Sequence, residues 1–277
     1  MDKFQIIQPS RLLAPYVKQY WFLRVDSVAQ GSQRAIPSGS MGLVFNRGDR
    51  IYSSLEKGFQ SRSYLFGQST VYVDMHFGKL DMIIVVFQPI GAKAFFRMPM
   101  NELNGESVAI GALSDPQIME LEDRLMYTAD NQTCVHWIEQ FLLKRLYQFE
   151  EYNYKRLTSA IRAINYRESN VSALAHEACL SQKQFKRIFT NYVGLNPKEF
   201  LQIARFTKTS HTFQTQPKTS LNELAYKCGY YDRSHLIKDF KTFSGYTPTE
   251  FLANCDPYSD YKSLFQSFFI DTKYQLK

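Results

Sequence analysis

The stretch ELAYKCGYYDRSHLIKDFKTFSGYTPTEFL, residues 223–252, interrupts helix-forming sequence at short intervals. Gly229 permits a sharp turn that a Cβ atom would hinder. Asp232 is placed to cap the following helix through its side-chain oxygen, and Gly245 is placed to end that helix. A helix, a tight turn and a second helix in this order predict a helix-turn-helix unit.

A second stretch with the same pattern lies earlier in the chain, LAHEACLSQKQFKRIFTNYVGLNPKEFL at residues 174–201. The offset between the copies is 50 residues at the start and 51 after one residue is inserted at the turn. The duplication predicts two helix-turn-helix units. The residues predicted to build them are Ala175, Ser181, Phe189 and Gly194 in the first copy, and Ala225, Gly229, Asp232, Phe240, Gly245 and Pro248 in the second.

The second helix of each unit carries many Lys, Arg and Gln residues on its predicted outer side. Lys and Arg side chains reach guanine O6 and N7 in the major groove, and Gln reaches adenine N6 and N7. An ordinary solvated surface explains one such helix equally well, but its repetition in a second helix favours DNA binding. The predicted DNA-binding residues are Gln182, Lys183, Gln184, Lys186, Arg187, Arg233, Ser234, His235 and Lys238.

Two residues of the second of these helices depart from the basic pattern. Asp239 is an acid and Ile237 is an aliphatic residue, and both are expected on the exposed side. Between the units, Pro197 begins a third helix that extends to about residue 213. A helix of that length spans about 25 Å, which suits recognition helices set roughly 34 Å apart, one turn of DNA.

The positive charge of the chain is concentrated around these units. The 277 residues carry a net charge of +7, but residues 1–150 hold 15 basic and 15 acidic residues. Residues 151–254 hold 15 basic and 8 acidic residues, and the tail is balanced. A localised basic region predicts a polyanionic partner, with a solvated basic face as the alternative.

The N-terminal part has the two-residue periodicity of strands. Residues 41–45, a turn at 46–49 and the following residues predict a hairpin, and residues 70–77 and 82–89 predict further strands. Two helices are expected at 115–127 and 133–149, followed by a linker at 150–153. The predicted fold class is α+β, with three regions: a β-rich sensor or regulatory domain at 1–150, a DNA-binding domain at 151–254, and an aromatic tail at 255–277.

The pattern LA…C(G)Y.D.SHL.K.FK…G.TP.EFL resembles the C-terminal domain of AraC/XylS-type transcriptional regulators. The resemblance implies seven helices whose two helix-turn-helix units enter adjacent major grooves. It places Lys183, Lys186 and Arg187 of the first unit, and Arg233, Ser234 and Lys238 of the second, where the family contacts bases. The segments 35–45 and 66–103 resemble the cupin-like sensor-type domain that often precedes such domains, and this resemblance defines no ligand-binding residue.

Other classes of protein fit less well. His76 is the only histidine in the β-rich region, whereas a metal-dependent cupin enzyme needs two or three histidines with a carboxylate. The four cysteines form no CxxC pair, so we expect reduced thiols in a cytoplasmic protein. No apolar run is long enough to cross a membrane.

We therefore expect a DNA-binding transcription factor that is not an enzyme and has no metal or other cofactor. Its partner is duplex DNA, and RNA polymerase, a small-molecule effector at the N-terminal domain and a second copy of the chain are compatible further partners. A DNA-binding protein without an effector response remains the main alternative, ahead of a cupin-type enzyme fused to a DNA-binding domain.

Overall fold

A computed structural model of the chain describes residues 3–26, 31–146, 149, 151–166 and 170–254. Antiparallel strands fill the N-terminal part and helices fill the C-terminal part, so the α+β fold class is confirmed. The predicted aromatic tail at 255–277 lies outside the described residues, and the domain boundaries stay predictions.

Ten strands of the described chain form two antiparallel sheets. The six-stranded sheet has the order β1-β2-β9-β4-β7-β10 and the four-stranded sheet has the order β3-β8-β5-β6. Apolar residues of both sheets, including Tyr64, Met75 and Met82, pack between them, so the sheets form a β-sandwich. The strands are β1 (Lys3–Ile7), β2 (Val17–Val25), β3 (Gly31–Ala35), β4 (Gly42–Asn46), β5 (Tyr52–Ser53), β6 (Gly58–Phe59), β7 (Ser63–Phe66), β8 (Val73–Phe77), β9 (Leu80–Phe87) and β10 (Ser107–Ala109).

The predicted hairpin at residues 41–54 is wrong. β4 pairs with β7 and β9 in one sheet, whereas β5 pairs with β6 and β8 in the other. The turn sequence is real, because the Asn46 side chain accepts a hydrogen bond from the Gly48 amide at 2.9 Å and donates one to the Asp49 carbonyl at 2.6 Å. The turn carries the chain from one sheet to the other, which a local pattern does not distinguish from a hairpin.

Two helices cover the outer face of the six-stranded sheet. α1 (Pro116–Tyr127) is capped by Asp115, and α2 (Asn131–Leu146) follows it. Their buried faces join the strand residues Leu43, Phe45 and Val85 in one core, because alternate residues of a strand point to opposite faces of its sheet. Both helices were expected from their helical spacing and are confirmed.

Seven helices make up the described C-terminal part, as the family resemblance implies. α3 begins at Glu151, so residues 151–153 are helical and the predicted linker is wrong there. The Tyr154 hydroxyl of this helix donates to the Pro15 carbonyl at 2.6 Å, which ties α3 to the β-sandwich. The helices are α3 (Glu151–Tyr166), α4 (Val171–Glu177), α5 (Gln182–Val193), α6 (Pro197–Thr215), α7 (Leu221–Lys227), α8 (Arg233–Ser244) and α9 (Pro248–Asn254).

The turns inside the two units use the same backbone conformation with different residues. Gly229 has φ 73°, and the aligned Cys179 has φ 51°. A side chain in this left-handed region costs about 1–2 kcal/mol, whereas glycine adopts it readily. The first unit therefore contains a strained turn that the second unit avoids.

Exchanging these residues should shift stability in opposite directions. We expect Cys179→Gly to raise the free energy of unfolding by about 0.5–1 kcal/mol, because relief of strain exceeds the added entropy of the unfolded chain. Gly229→Ala should lower it by a similar amount. Urea denaturation of both variants checks this, and a destabilised Cys179→Gly variant contradicts it.

Candidate nucleic-acid interface

The first unit consists of α4 and α5, and local sequence fixes both ends of α5. The Ser181 hydroxyl accepts from the Gln184 amide at 3.3 Å, and the Gln184 side chain accepts from the Ser181 amide, which completes a capping box. Gly194 ends the helix with φ 88°. Phe189 is completely buried and Ala175 is nearly so, which anchors α5 against α4. Ser181, Phe189 and Gly194 thus lie at the helix cap, in the buried core and at the helix end of the first unit.

The second unit, α7 and α8, repeats this design. The Asp232 carboxylate accepts from the His235 amide at 2.7 Å, and Gly245 ends α8 with φ 75°. Phe240 is completely buried, as the alignment with Phe189 requires, and Ala225 is also buried. The units therefore share the positions of their caps, turns and buried core residues, and the first adds a capping box.

The solvent side of the two recognition helices, α5 and α8, is basic. All five predicted Lys and Arg contacts are exposed, and none has a hydrogen bond or ion pair with another described residue. A cationic side chain in that state keeps its donors available for a phosphate or a base edge. These residues are Lys183, Lys186, Arg187, Arg233 and Lys238.

The other four predicted DNA contacts differ from these cations. Three of them already have hydrogen-bond partners within the chain, and the fourth, Ser234, has a short side chain. Gln182 donates to the Ser172 hydroxyl at 3.0 Å, and Gln184 belongs to the capping box. His235 is half-buried and its Nε2 lies 3.3 Å from an Arg205 nitrogen, while Ser234 is exposed. The contribution of these four residues to DNA binding remains a prediction.

Sequence reasoning missed a cluster behind α8. Asp239, expected on the exposed side, is 6% exposed and accepts from Arg205 of α6 at 3.0 Å. The Arg205 guanidinium also lies 4.4 Å from the ring centroid of Tyr230. Burial raises the pKa of the Tyr230 hydroxyl, and the Asp239 carboxylate raises it further. Asp239 follows the buried Leu236 by three residues, and this helical spacing could have predicted its burial.

Ile237 was also expected to be exposed, and this expectation is wrong. It is half-buried and packs against the main hydrophobic core. Arg205, Tyr230 and Asp239 form a cluster with the half-buried His235 at its edge, and this cluster fixes α8 relative to α6. The exposed side chains of α8 thus project from a helix whose inner face is held by both apolar and charged contacts.

Comparison with known families agrees with this geometry. Residues 174–254 match a family model described as a helix-turn-helix domain. This region is therefore a helix-turn-helix domain. It includes both recognition helices and every residue named above as a candidate DNA contact. Residues 5–109 match a family described as a domain of unknown function (DUF6597). This range contains the ten described strands, except for the first two residues of β1.

Individual curated proteins are also similar to part of this chain. An uncharacterized HTH-type transcriptional regulator of Haemophilus influenzae is 29% identical over 121 residues, which cover 42% of this chain and 39% of that protein. The HTH-type transcriptional activator RhaS of Escherichia coli is 28% identical over 83 residues, 30% of each chain. The matches thus span well under half of either relative.

The crystal structure of ToxT from Vibrio cholerae is similar over 85% of this chain and 96% of that chain, with 10% identity and a TM-score of 0.45. A likeness at this level carries no argument about function.

Within the described residues, no group of three or more His, Cys, Asp or Glu side chains is arranged to hold a metal ion. None of the described helices is both long and apolar enough to span a membrane.

Proposed function

We propose that the protein is a sequence-specific DNA-binding transcriptional regulator whose two recognition helices read adjacent major grooves. One observation carries this proposal: two equivalent helix-turn-helix units each present an exposed basic helix, and the basic side chains have no partners among the described residues. A side chain that is exposed, cationic and unpaired on a recognition helix is suited to contact phosphates and guanine edges.

The connection between the units supports simultaneous binding of both. α6 contains 19 residues and is therefore roughly 28 Å long. It packs against α5 at one end and against α8 through the Arg205–Asp239 ion pair. A rigid connector of this length suits recognition helices that enter grooves about 34 Å apart.

The N-terminal part has a feature that favours an effector-responsive regulator over a passive DNA-binding protein. Trp21 Nε1 and Gln19 Nε2 are buried donors without a hydrogen-bond acceptor among the described residues. By strand alternation they share a face of β2 with Leu23, which packs between the two sheets. An unsatisfied buried donor costs about 1–3 kcal/mol, so an effector whose acceptor group reached these donors would remove that cost.

We propose a non-enzymatic, cytoplasmic factor with duplex DNA as its partner. We also propose RNA polymerase and a second copy of the chain as partners. The proposed effector is a small molecule that carries a hydrogen-bond acceptor.

Selection of bound sites from random duplex DNA by the full-length protein tests the function. We expect a two-part site with its halves centred about 10 base pairs apart. Affinity for that site should fall steeply between 50 and 200 mM salt, because bound phosphates release counterions. Enrichment of no sequence, or equal binding to heparin and to the selected site, would contradict specific readout.

A further inference from the structure

The two recognition helices end against the same body, the β-sandwich. Gly194 and Gly245 occupy equivalent positions in the repeat, and both have left-handed φ angles. A Cβ atom on Gly194 would lie 2.7 Å from Met41 Cε, and one on Gly245 would lie 2.6 Å from an Arg34 nitrogen. Both Met41 and Arg34 belong to the N-terminal part, so its residues contact the C-terminal end of each recognition helix.

The two contacts differ in chemistry. Around Gly194 the contact is apolar and closed, since Met41 and Met100 are completely buried in the core that also contains Val193. Such a contact separates only if a large part of the core is disrupted. The first recognition helix therefore moves together with the β-sandwich.

Around Gly245 the contact depends on one polar side chain. Arg34, on β3, donates through Nε and Nη2 to the two carboxylate oxygens of Asp74 on β8, at 2.6 and 2.9 Å. Its third nitrogen, Nη1, donates to the Ser244 carbonyl at 3.1 Å. This carbonyl belongs to the last turn of α8, where the helix dipole favours a positive charge.

Tyrosines from both parts of the chain surround the same guanidinium. Its carbon lies 4.1 Å from the ring centroid of Tyr72 and 4.6 Å from that of Tyr246, which follows α8. The planar guanidinium of arginine can stack on an aromatic ring while it forms parallel hydrogen bonds to a carboxylate, a combination that the lysine ammonium cannot make. The Arg34 side chain is 24% exposed, so this contact can open without disruption of the hydrophobic core.

We propose that Arg34 is a positioning residue for DNA readout: it fixes the second recognition helix to the β-sandwich that already holds the first. The N-terminal part thereby acts together with α6 to restrain the separation at which α5 and α8 meet DNA. This inference rests on the proposed function. Through the Arg34 contact, a structural change in β3 or β8 would be transmitted to α8 while α5 stays in place.

The test compares binding of the full-length protein to the selected site with binding to versions that have one base pair added or removed between the halves. We expect the wild type to bind the altered sites at least tenfold more weakly. In Arg34→Gln this ratio should fall below threefold, while affinity for an isolated α5 half-site stays within twofold of wild type. Tyr246→Ala, which removes the aromatic partner on the α8 side, should act in the same direction.

Arg24→Ala is the matched control, because it removes an equal charge from the neighbouring sheet, where Arg24 pairs with the exposed Asp26. It should keep the wild-type spacing ratio. An Arg34→Gln variant that also keeps this ratio overturns the proposal.

Hydrogen exchange of the DNA-free protein separates a failure of this inference from a failure of the proposed function. Arg34→Gln should speed exchange at the Gly245 amide, which donates to the Lys241 carbonyl, and Arg24→Ala should not. Unchanged exchange overturns the contact even if DNA binding is intact. Faster exchange in a protein that binds no specific DNA supports the contact and rejects the regulator.

Discussion

Arg187→Ala and Lys238→Ala are each expected to weaken binding to the selected site by ~1–3 kcal/mol if the side chains contact bases. A tenfold change in affinity corresponds to about 1.4 kcal/mol, so each loss should be several-fold to more than a hundredfold. Both residues are exposed on equivalent recognition helices, Arg187 on α5 and Lys238 on α8. Fluorescence anisotropy with labelled duplexes, at one fixed salt concentration, measures the change.

The position of the loss within the site is as informative as its size. Arg187→Ala should relax sequence preference in one half of the site and Lys238→Ala in the other. Lys79→Ala, which removes the same charge from an exposed loop of the β-sandwich, should change specific affinity by less than about 0.5 kcal/mol, because distant exposed charges are screened by salt. Equal losses in all three variants would indicate a nonspecific effect of charge.

Asp239→Ala is expected to lower the free energy of unfolding by about 2–3 kcal/mol. The substitution leaves the Arg205 guanidinium without its carboxylate, and removal of one partner from a buried ion pair costs 3–5 kcal/mol in fully buried cases. Arg205 is 25% exposed, whereas Asp239 is 8% exposed in its side chain, so water reaches the arginine and reduces the cost. Urea denaturation followed by circular dichroism measures the difference.

Glu120→Ala is the matched control for this prediction. Glu120 pairs with Arg124 on α1, but the two side chains are 64% and 46% exposed. Exposed pairs one helical turn apart contribute about 0.3–0.5 kcal/mol, so the control should unfold almost as the wild type does. If both variants lose the same free energy, the Arg205–Asp239 pair does not fix α8 against α6.

The C-terminal helices were largely predictable from sequence because each break has a local chemical cause. Asn170, Ser181, Ser220 and Asp232 all cap the helices that follow them, and a cap acts on amides within three residues of itself. Because the chain contains an internal duplication, the same pattern of caps and turns could be identified twice. A cap that depends only on neighbouring residues can be predicted without knowledge of the tertiary fold.

The elements that were predicted wrongly depend on distant partners. The turn at Asn46 was identified, but whether β4 pairs with β5 or with β7 and β9 is decided by residues far along the chain. The spacing of Asp239 from Leu236 indicates a buried position, but Arg205, the partner that allows burial of the carboxylate, is 34 residues away. The contact of Arg34 with Ser244 spans 210 residues, and no periodicity in the sequence indicates it.

The most direct measurement is guanine methylation interference on the selected site, with the wild type, Arg187→Ala and Lys238→Ala. Two clusters of major-groove contacts, about 10 base pairs apart on one face of the duplex, are predicted for the wild type. Each substitution should remove contacts from a different cluster. A single cluster in the wild type, or loss of the same contacts in both variants, would contradict the claim that the two helices read DNA side by side.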